Sequence, residues 1–561
     1  MKQLIECVPN FSEGRDMSVI KQITDVIENS EGVKLLDVDP GAATNRTVVT
    51  MVGEPEYVIE AAFKAVKKAA ELIDMSKHKG EHPRMGATDV CPLVPIANIS
   101  MEECVKYAHK LAKRIGEELD IPIYCYENAA LKEDRRNLAT CRAGEYEGMS
   151  EKLKDPEWKP DFGPAMFNSG AGVTAVGARD FLVAFNVNLN TTSTRRANAI
   201  AFDVRERGRA KTEGGVVGGK IIKDENGKPV MIPGSLKSVK AIGWFIEEYG
   251  IAQISMNLTN ITITSVHEAF DEVSRRAEAR GIRVSGSELV GLIPLQAMLD
   301  AGKFFLRKQK RSTGISEKEL IKIAAKSMGL DDLKPFKPED NIIEYLINED
   351  GDNKLVDMDL SAFADETASE SPAPGGGSIA AYVGSMGVSL GTMVANLSSH
   401  KRGWDDRWEE YSDWADKGQA LKDELLFLVD EDTRAFNKIM EGFGMAKKTE
   451  QEKAARHKAI QKASKYAMQI PFRVMEKSLE SMTIMKAMAE TGLEASVSDA
   501  GVGALCARTS VMGAYLNVKI NADGVDDKDF VNDLLQRGQD VENKALKMEN
   551  EILGIVNSKI K

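Results

Sequence analysis

At 561 residues, with 43% hydrophobic and 29% charged residues, the chain is too long for one core and too apolar to be disordered, so two to four globular domains are expected. Lys and Arg number 74 against 86 Asp and Glu, and the net charge of −12 argues against general binding to nucleic acid or a membrane surface. The six cysteines (Cys7, Cys91, Cys104, Cys125, Cys141 and Cys506) show no C-x-x-C spacing and read as free thiols of a cytoplasmic protein. The opening MKQLIECVPNFSEGRD lacks the apolar run of a signal peptide. A membrane span is not expected either, on the reading that no uncharged stretch reaches about 18 residues.

In chain order, QLIECV reads as a strand, MSVIKQITDVIENS as a helix, VKLLDVD and RTVVTMVG as strands, and YVIEAAFKAVKKAAELIDM as a helix of period near 3.6. A loop with one further strand leads to the helix ECVKYAHKLAKRIGEELD and the strand IPIYCYE. A second run repeats the pattern: FLVAFNVNL, then the helix RRANAIAFDVRERGR, the hairpin VKAIGWFIEEYGIAQISMNLT, the helix VHEAFDEVSRRAEARG and the strand IRVSGSEL. Both runs approximate β-α-β-β-α-β. Within the second, 213–233 reads as an exposed hairpin insertion with an Asn-Gly turn. Its near-match to a phosphate loop (Gly214, Gly219, Lys220) fails because Ile221 stands where a magnesium-binding hydroxyl is needed. The polar, turn-rich NEDGDNKL is placed as a linker, and the remainder carries helical periodicity. The expected class is therefore α/β plus all-α: two βαββαβ-like subdomains, 1–181 and 182–347, a linker at 348–355, and a helical bundle over 356–561.

Five segments hold residues suited to chemistry. The loop Lys77–Gly86 contains His78 and His82 beside Glu81 and Arg84. Histidine moves protons near neutral pH, although a solvated loop explains the charges equally well. Its HKGEH is neither H-E-x-x-H nor a common zinc spacing, so no metal site is expected. Gly163–Gly172 (GPAMFNSGAG) allows close approach of a ligand to backbone N–H groups, or is an ordinary interdomain loop. Gly375, Gly376, Gly377 and Ser378 lead into a helix of small residues and make either an anion-binding loop or a plain helix start. In LKDELLFLVDEDTRAFNKIMEG the apolar stripe Leu425, Leu428, Val429, Ala435, Phe436, Ile439 takes in Asp432, whereas Asp423 and Asp430 fall toward the polar side. A carboxylate on a packed face is costly unless paired or used, and its pKa rises there. Asn517 and Asn521, four apart on one helix, either line a cleft or bridge helices.

ECVPNFSEGRD, LLDVDPGAATNRTV, LIDMSKHKGEHPRMGATDVCP and AGEYEGM resemble glutamate formiminotransferase. SPAPGGGSIAA, LVDEDTRAF and MGAYLNVKIN resemble formimidoyltetrahydrofolate cyclodeaminase. Together they are similar to the formimidoyltransferase-cyclodeaminase family over nearly the whole chain. The resemblance implies transfer of a formimino group from N-formimidoyl-L-glutamate, a product of histidine breakdown, to N5 of tetrahydrofolate. Ring closure to 5,10-methenyltetrahydrofolate with loss of ammonia then follows. It makes His82 the transferase proton-transfer residue, with Asp39 as the expected partner of its imidazole, and Asp432 the cyclodeaminase carboxylate. It assigns folate contacts to Gly163, Pro164, Ala165, Met166, Phe167, Asn168, Ser169, Gly170, Ala171 and Gly172. A second set is Gly234, Ser235, Leu236, Lys237, Ser238, Val239, Lys240, Ala241, Ile242 and Gly243, where Lys237 and Lys240 offer charge to a glutamate tail. It implies no prosthetic group, tetrahydrofolate with or without a polyglutamate tail as co-substrate, and a homo-oligomer such as an octamer. Two departures stand out: the 213–233 insertion, and His400 where a glycine is expected before Lys401 and Arg402. The competing readings are a glutamate formyltransferase fused to a methenyltetrahydrofolate cyclohydrolase, and a non-catalytic folate-binding scaffold.

Overall fold

The computed structural model describes the chain apart from residues 1–2, 43, 81–82, 215–218, 348–353 and 561. The expected linker at 348–355 therefore falls largely outside the described residues, and so does His82. The chain divides into two compact units, one of residues 1–297 and 328–350, the other of 298–327 and 351–561.

The first unit opens with β1 (Leu4–Cys7), α1 (Met17–Glu28), β2 (Val33–Gly41), β3 (Arg46–Gly53), α2 (Pro55–Leu72) and β4 (Thr88–Ala97). It continues with α3 (Met101–Glu118), β5 (Ile123–Glu127) and β6 (Thr174–Ala178). Local signals set the helix starts. The Asp16 side chain accepts from Ser18 and Val19 N–H ahead of α1, Pro55 opens α2, and Ser100 and Glu103 form a capping box before α3. β2, β3, β1 and β4 lie side by side, all antiparallel, and β6 then β5 extend the sheet in parallel beyond β4. Asn10–Phe11 continues the track of β1 between β3 and β4. Alternation assigns the two faces. Ile5, Cys7, Val49, Met51, Cys91, Leu93, Cys125 and Val176 pack under α1–α3. Glu6, Asn10, Arg46, Val48 and Thr50 point to the opposite face, where the helices Leu138–Arg142 and Glu145–Lys152 pack over Val90, Tyr124 and Ala175.

The second sheet consists of β7 (Val183–Leu189), β8 (Val239–Ile246), β9 (Ile251–Leu258) and β10 (Val284–Val290), ordered β8-β9-β7-β10 and antiparallel throughout. Between its strands run α4 (Thr194–Val204) and α5 (Val266–Glu278). The excursion between α4 and β8 holds short antiparallel pairs and turns at Asn226-Gly227, where Gly227 has φ +75°.

The helical unit contains the end of α6 (Leu295–Lys308), α7 (Glu317–Met328), α8 (Gly376–Ser399), α9 (Trp408–Gly444), α10 (Glu450–Thr491), α11 (Val497–Asn521) and α12 (Lys528–Lys559). Residues 298–327, expected in the second α/β subdomain, lie in this unit instead. Thr313 N–H and the Ser412 hydroxyl are 2.9 Å apart, the Thr313 hydroxyl donates to Asp416 at 2.6 Å, and Lys303 pairs with Asp416 at 3.1 Å. The expectation that no uncharged run is long enough to span a membrane also does not hold. α8 is 24 residues, mean hydropathy 1.4, and passes by length and composition. Here 61% of its apolar window is buried within the bundle, where glycine permits close approach: a Cβ on Gly387 would stand 2.8 Å from the Gly503 carbonyl oxygen of α11.

Candidate functional site

In the first unit the candidate site forms around the 77–86 loop. Its ends are fixed by different elements. Asn45 holds the leading end: its amide oxygen accepts from Gly14 N–H at 3.0 Å and its amide nitrogen donates to the Lys79 carbonyl at 3.0 Å. Its own carbonyl oxygen lies 2.9 Å from His78 Nε2. The trailing end is held by Asp89, a fully buried carboxylate that accepts Met85 N–H at 3.0 Å and a two-point contact from Arg142. Arg84 is clamped by Glu147 and Glu145, and its carbonyl accepts Tyr146 N–H at 2.8 Å. Such charge-assisted bonds in a half-buried setting resist rearrangement better than solvated ones. Glu81 and His82 themselves lie outside the described residues.

The Gly163–Gly172 segment is brought against this trailing end. Ala87 N–H donates to the Ala171 carbonyl at 2.8 Å, and Gly86 and Gly172 form a β-bridge. A Cβ on Gly172 (φ +72°) would stand 2.3 Å from the Met85 carbonyl oxygen, so only glycine lets the two loops meet this closely. Asn168 folds the loop on itself by accepting from Gly170 and Ala171 N–H, and Tyr146 packs on Phe167 and donates to the Ser169 carbonyl. Met166 is exposed.

The 234–243 segment lies in the second α/β half. Ser238 (φ +52°) leads into β8, and Gly243 crosses α4 so closely that a Cβ would stand 2.3 Å from Asn198 N. Lys237 is exposed, 3.8 Å from Glu206. Burial pushes the Glu127 carboxyl up, and the positive charges of Lys240, Arg136 and Arg179 offset part of the rise.

Asp39 is exposed on β2, opposite Val48, on the face turned away from α1–α3. Its expected contact with His82 lies outside the described residues. Sequence reasoning passed over its neighbours on that face. Arg46 donates from Nη1 to Asn10 Oδ1 at 2.7 Å, and burial pulls it below the usual arginine range, with Asp89 and Asp39 opposing. Glu6 is buried, and desolvation pushes it up to about 7 against the nearby Arg179. The signal was available: alternation in RTVVTMVG puts Arg46 on the face of Val48 and Thr50, where a charge is out of place unless it has work.

In the helical unit Asp432 meets the start of α8. The Ser378 hydroxyl lies 2.9 Å from the Val429 carbonyl oxygen and 3.2 Å from Asp432 Oδ2, and Ser378 N–H also bonds the carboxylate. Burial pushes Asp432 up, and the Ser378 hydrogen bonds hold it back. Gly377 leaves the space: a Cβ there would stand 2.2 Å from Asp432 Oδ1. A Cβ on Gly376 would stand 3.2 Å from Asn517 Nδ2, so Asn517 borders the same spot, whereas Asn521 bridges to the Ala467 carbonyl on α10. Asp430 is not on the polar side as expected. It is buried, accepting Leu355 N–H at 2.7 Å, because residues 355–357 cover that flank of α9. Glu431, also missed, is buried. Burial alone would raise it, but Tyr466, Arg434 and Lys438 outweigh burial and hold it below the ordinary range. His400 accepts Ser312 N–H at 3.3 Å, so it ties the 298–327 excursion to the bundle.

Family models match along the chain: "Formiminotransferase domain, N-terminal subdomain" over 4–179, "Formiminotransferase domain" over 184–348, and "Formiminotransferase-cyclodeaminase" over 359–540. The chain is 45% identical over 531 residues to a formimidoyltransferase-cyclodeaminase of Gallus gallus, covering 94% of each chain. A glutamate formimidoyltransferase of Streptococcus pyogenes serotype M1 is similar to 55% of the chain at 44% identity, over 94% of its own length. A methenyltetrahydrofolate cyclohydrolase of Methylorubrum extorquens is similar to 36% of the chain at 34% identity, over 97% of its own length. Taken with a two-sheet unit followed by a helical unit in which a carboxylate meets a glycine-opened helix start, these matches show that the chain belongs to the formimidoyltransferase-cyclodeaminase family.

Proposed function

We propose that the first unit transfers the formimidoyl group of N-formimidoyl-L-glutamate to N5 of tetrahydrofolate, and that the helical unit closes the ring of the product to 5,10-methenyltetrahydrofolate with release of ammonia. The observation that carries this reading is the full-length match to a relative named for both activities, each half also matching shorter relatives. In the first step N5 attacks the formimino carbon and the C–N bond to glutamate breaks. His82 accepts the N5 proton and returns one to the departing amine. In the second, N10 attacks the same carbon and the imino nitrogen leaves as ammonia. Asp432 relays the proton, which suits a carboxyl that burial has raised and Ser378 steadies. Tetrahydrofolate is a co-substrate in this scheme, contacted by Gly163–Gly172 and Gly234–Gly243. The cyclohydrolase-like similarity of the helical half keeps one rival alive, formyl in place of formimidoyl chemistry, and ammonia release separates the two.

The same reading makes the chain a cytoplasmic homo-oligomer. Six free thiols support the first part. Exposed apolar side chains on two adjoining helices support the second: Met386, Met393 and Leu397 on α8, and Leu505, Leu516 and Ile520 on α11.

Paired variants test the assignment. His82→Ala should lose roughly a hundredfold or more of transfer while still cyclising supplied 5-formimidoyltetrahydrofolate, and Asp432→Asn should do the reverse. Loss of both activities in either variant, or of neither, contradicts the residue roles.

A further inference from the structure

The apolar stripe of α9 changes character at Asp432. On its N-terminal side Leu425, Leu428 and Val429 are fully buried, whereas Phe436, Met440 and Phe443, on the same face beyond the carboxylate, are 41%, 52% and 52% exposed. The antiparallel packing of α8 on α9 explains the change. Ser378 meets Val429 and Asp432, Thr392 meets Gly418, and α8 begins at Gly376, so it has no residues to lay over α9 past Asp432. What remains is an apolar shelf that starts at the carboxylate and continues to Phe443, about 16 Å at the rise of an α-helix. The shelf ends in positive charge. The Arg456 guanidinium of α10 stands 5.6 Å from the Phe443 ring centre and donates to the Phe443 carbonyl at 3.2 Å. Lys447 and Lys448 follow in the α9–α10 turn, both exposed, and neither ammonium forms an ion pair among the described residues. The order is carboxylate, exposed aromatic and thioether side chains, then basic groups. It matches a folate read from N5 and N10 through the benzoyl ring to the glutamate carboxylates.

We infer that this shelf binds the folate of the cyclisation step, with N5 and N10 at Asp432, the benzoyl ring against Phe436 and Met440, and the glutamate tail at Arg456, Lys447 and Lys448. The inference rests on the cyclisation reading above and gives it a direction: the substrate lies along α9 with its tail toward the α9–α10 turn. Phe436, one turn from Asp432, becomes the residue that sets the ring relative to the carboxylate. The inference also accounts for three large apolar side chains left in solvent between a buried carboxylate and a basic end.

The test uses the full-length chain. Cyclisation is measured with supplied 5-formimidoyltetrahydrofolate and with its analogue that lacks the glutamate, 5-formimidoyltetrahydropteroate. Phe436→Ala should raise the cyclisation KM by about tenfold, and Phe436→Tyr, which keeps the ring, should stay within about twofold of wild type. The combined variant Lys447→Gln, Lys448→Gln, Arg456→Gln should raise the KM of the glutamate-bearing substrate by about tenfold and leave that of the tail-less analogue within about twofold. Met440→Glu, which sets a charge on the shelf, should act like Phe436→Ala and serves if that variant folds poorly. Transfer by the first unit of the same chain reports intact protein. An unchanged KM in an active Phe436→Ala enzyme, or a basic-end variant that affects both substrates equally, overturns the inference and leaves the cyclisation reading standing. So does a KM rise accompanied by a fall in mass in sedimentation velocity, which makes the shelf a subunit contact. A wild-type chain that fails to cyclise the supplied substrate overturns both.

Discussion

In the proposed reading the chemistry of the helical unit turns on a contact of two residues. Asp432 is on a packed face, and the carboxylate is tolerated there because Gly377 leaves room and Ser378 offers both its N–H and its hydroxyl. These bonds favour the ionised form, while burial favours the neutral one. Removing the hydroxyl in Ser378→Ala takes away part of the support for the charge, so the Asp432 pKa rises further. Whichever limb of the cyclisation pH profile reports Asp432 should move to higher pH, with a loss of roughly tenfold in kcat at neutral pH. A profile that keeps its position while stability alone falls would make Ser378 a packing residue. Asp432 was legible in the sequence because it interrupts an apolar stripe at helical spacing. Asp430 and Glu431 were not, because residues 355–357 and Tyr466, which cover them, come from distant parts of the chain.

At the scale of elements, the strands and helices of both βαββαβ runs followed from periodicity, and each run holds the expected order of elements. Among the elements periodicity missed are β6 and the short helices Leu138–Arg142 and Glu145–Lys152. These are brief, rich in small or charged residues, and stabilised by long-range partners such as Arg84 and Asp89. The helix α8 was read for its small residues but not for its length. Its composition is that of a helix that must let neighbours approach. Gly387→Val should therefore cost about 1–3 kcal/mol, since the new side chain would meet the Gly503 carbonyl oxygen. Gly554→Ala in α12, where a Cβ would meet nothing within 4 Å, should instead stabilise by about 0.5–1 kcal/mol. Denaturant midpoints of the two variants check the contrast. Equal and small effects would mean that α8 and α11 are not in close contact.

For the whole molecule, the division into units places residues 298–327 with the helices although they precede the linker in sequence, and no periodicity signal marks such an exchange. It depends on Thr313, Asp416, Lys303 and His400 finding one another across about a hundred residues. The exposed apolar stripe on α8 and α11 belongs to this scale too. Leu516→Glu with Ile520→Glu should reduce the mass seen by sedimentation velocity, because charge on a buried interface is costly. An unchanged mass would move the subunit contact elsewhere. The central claim is that one chain performs both steps. It is tested most directly by incubating the purified protein with N-formimidoyl-L-glutamate and tetrahydrofolate and following methenyltetrahydrofolate absorbance and ammonia in the same sample. The account predicts both products in equal amounts from this single polypeptide. Methenyltetrahydrofolate without ammonia, or activity only when N-formylglutamate is the donor, would contradict it.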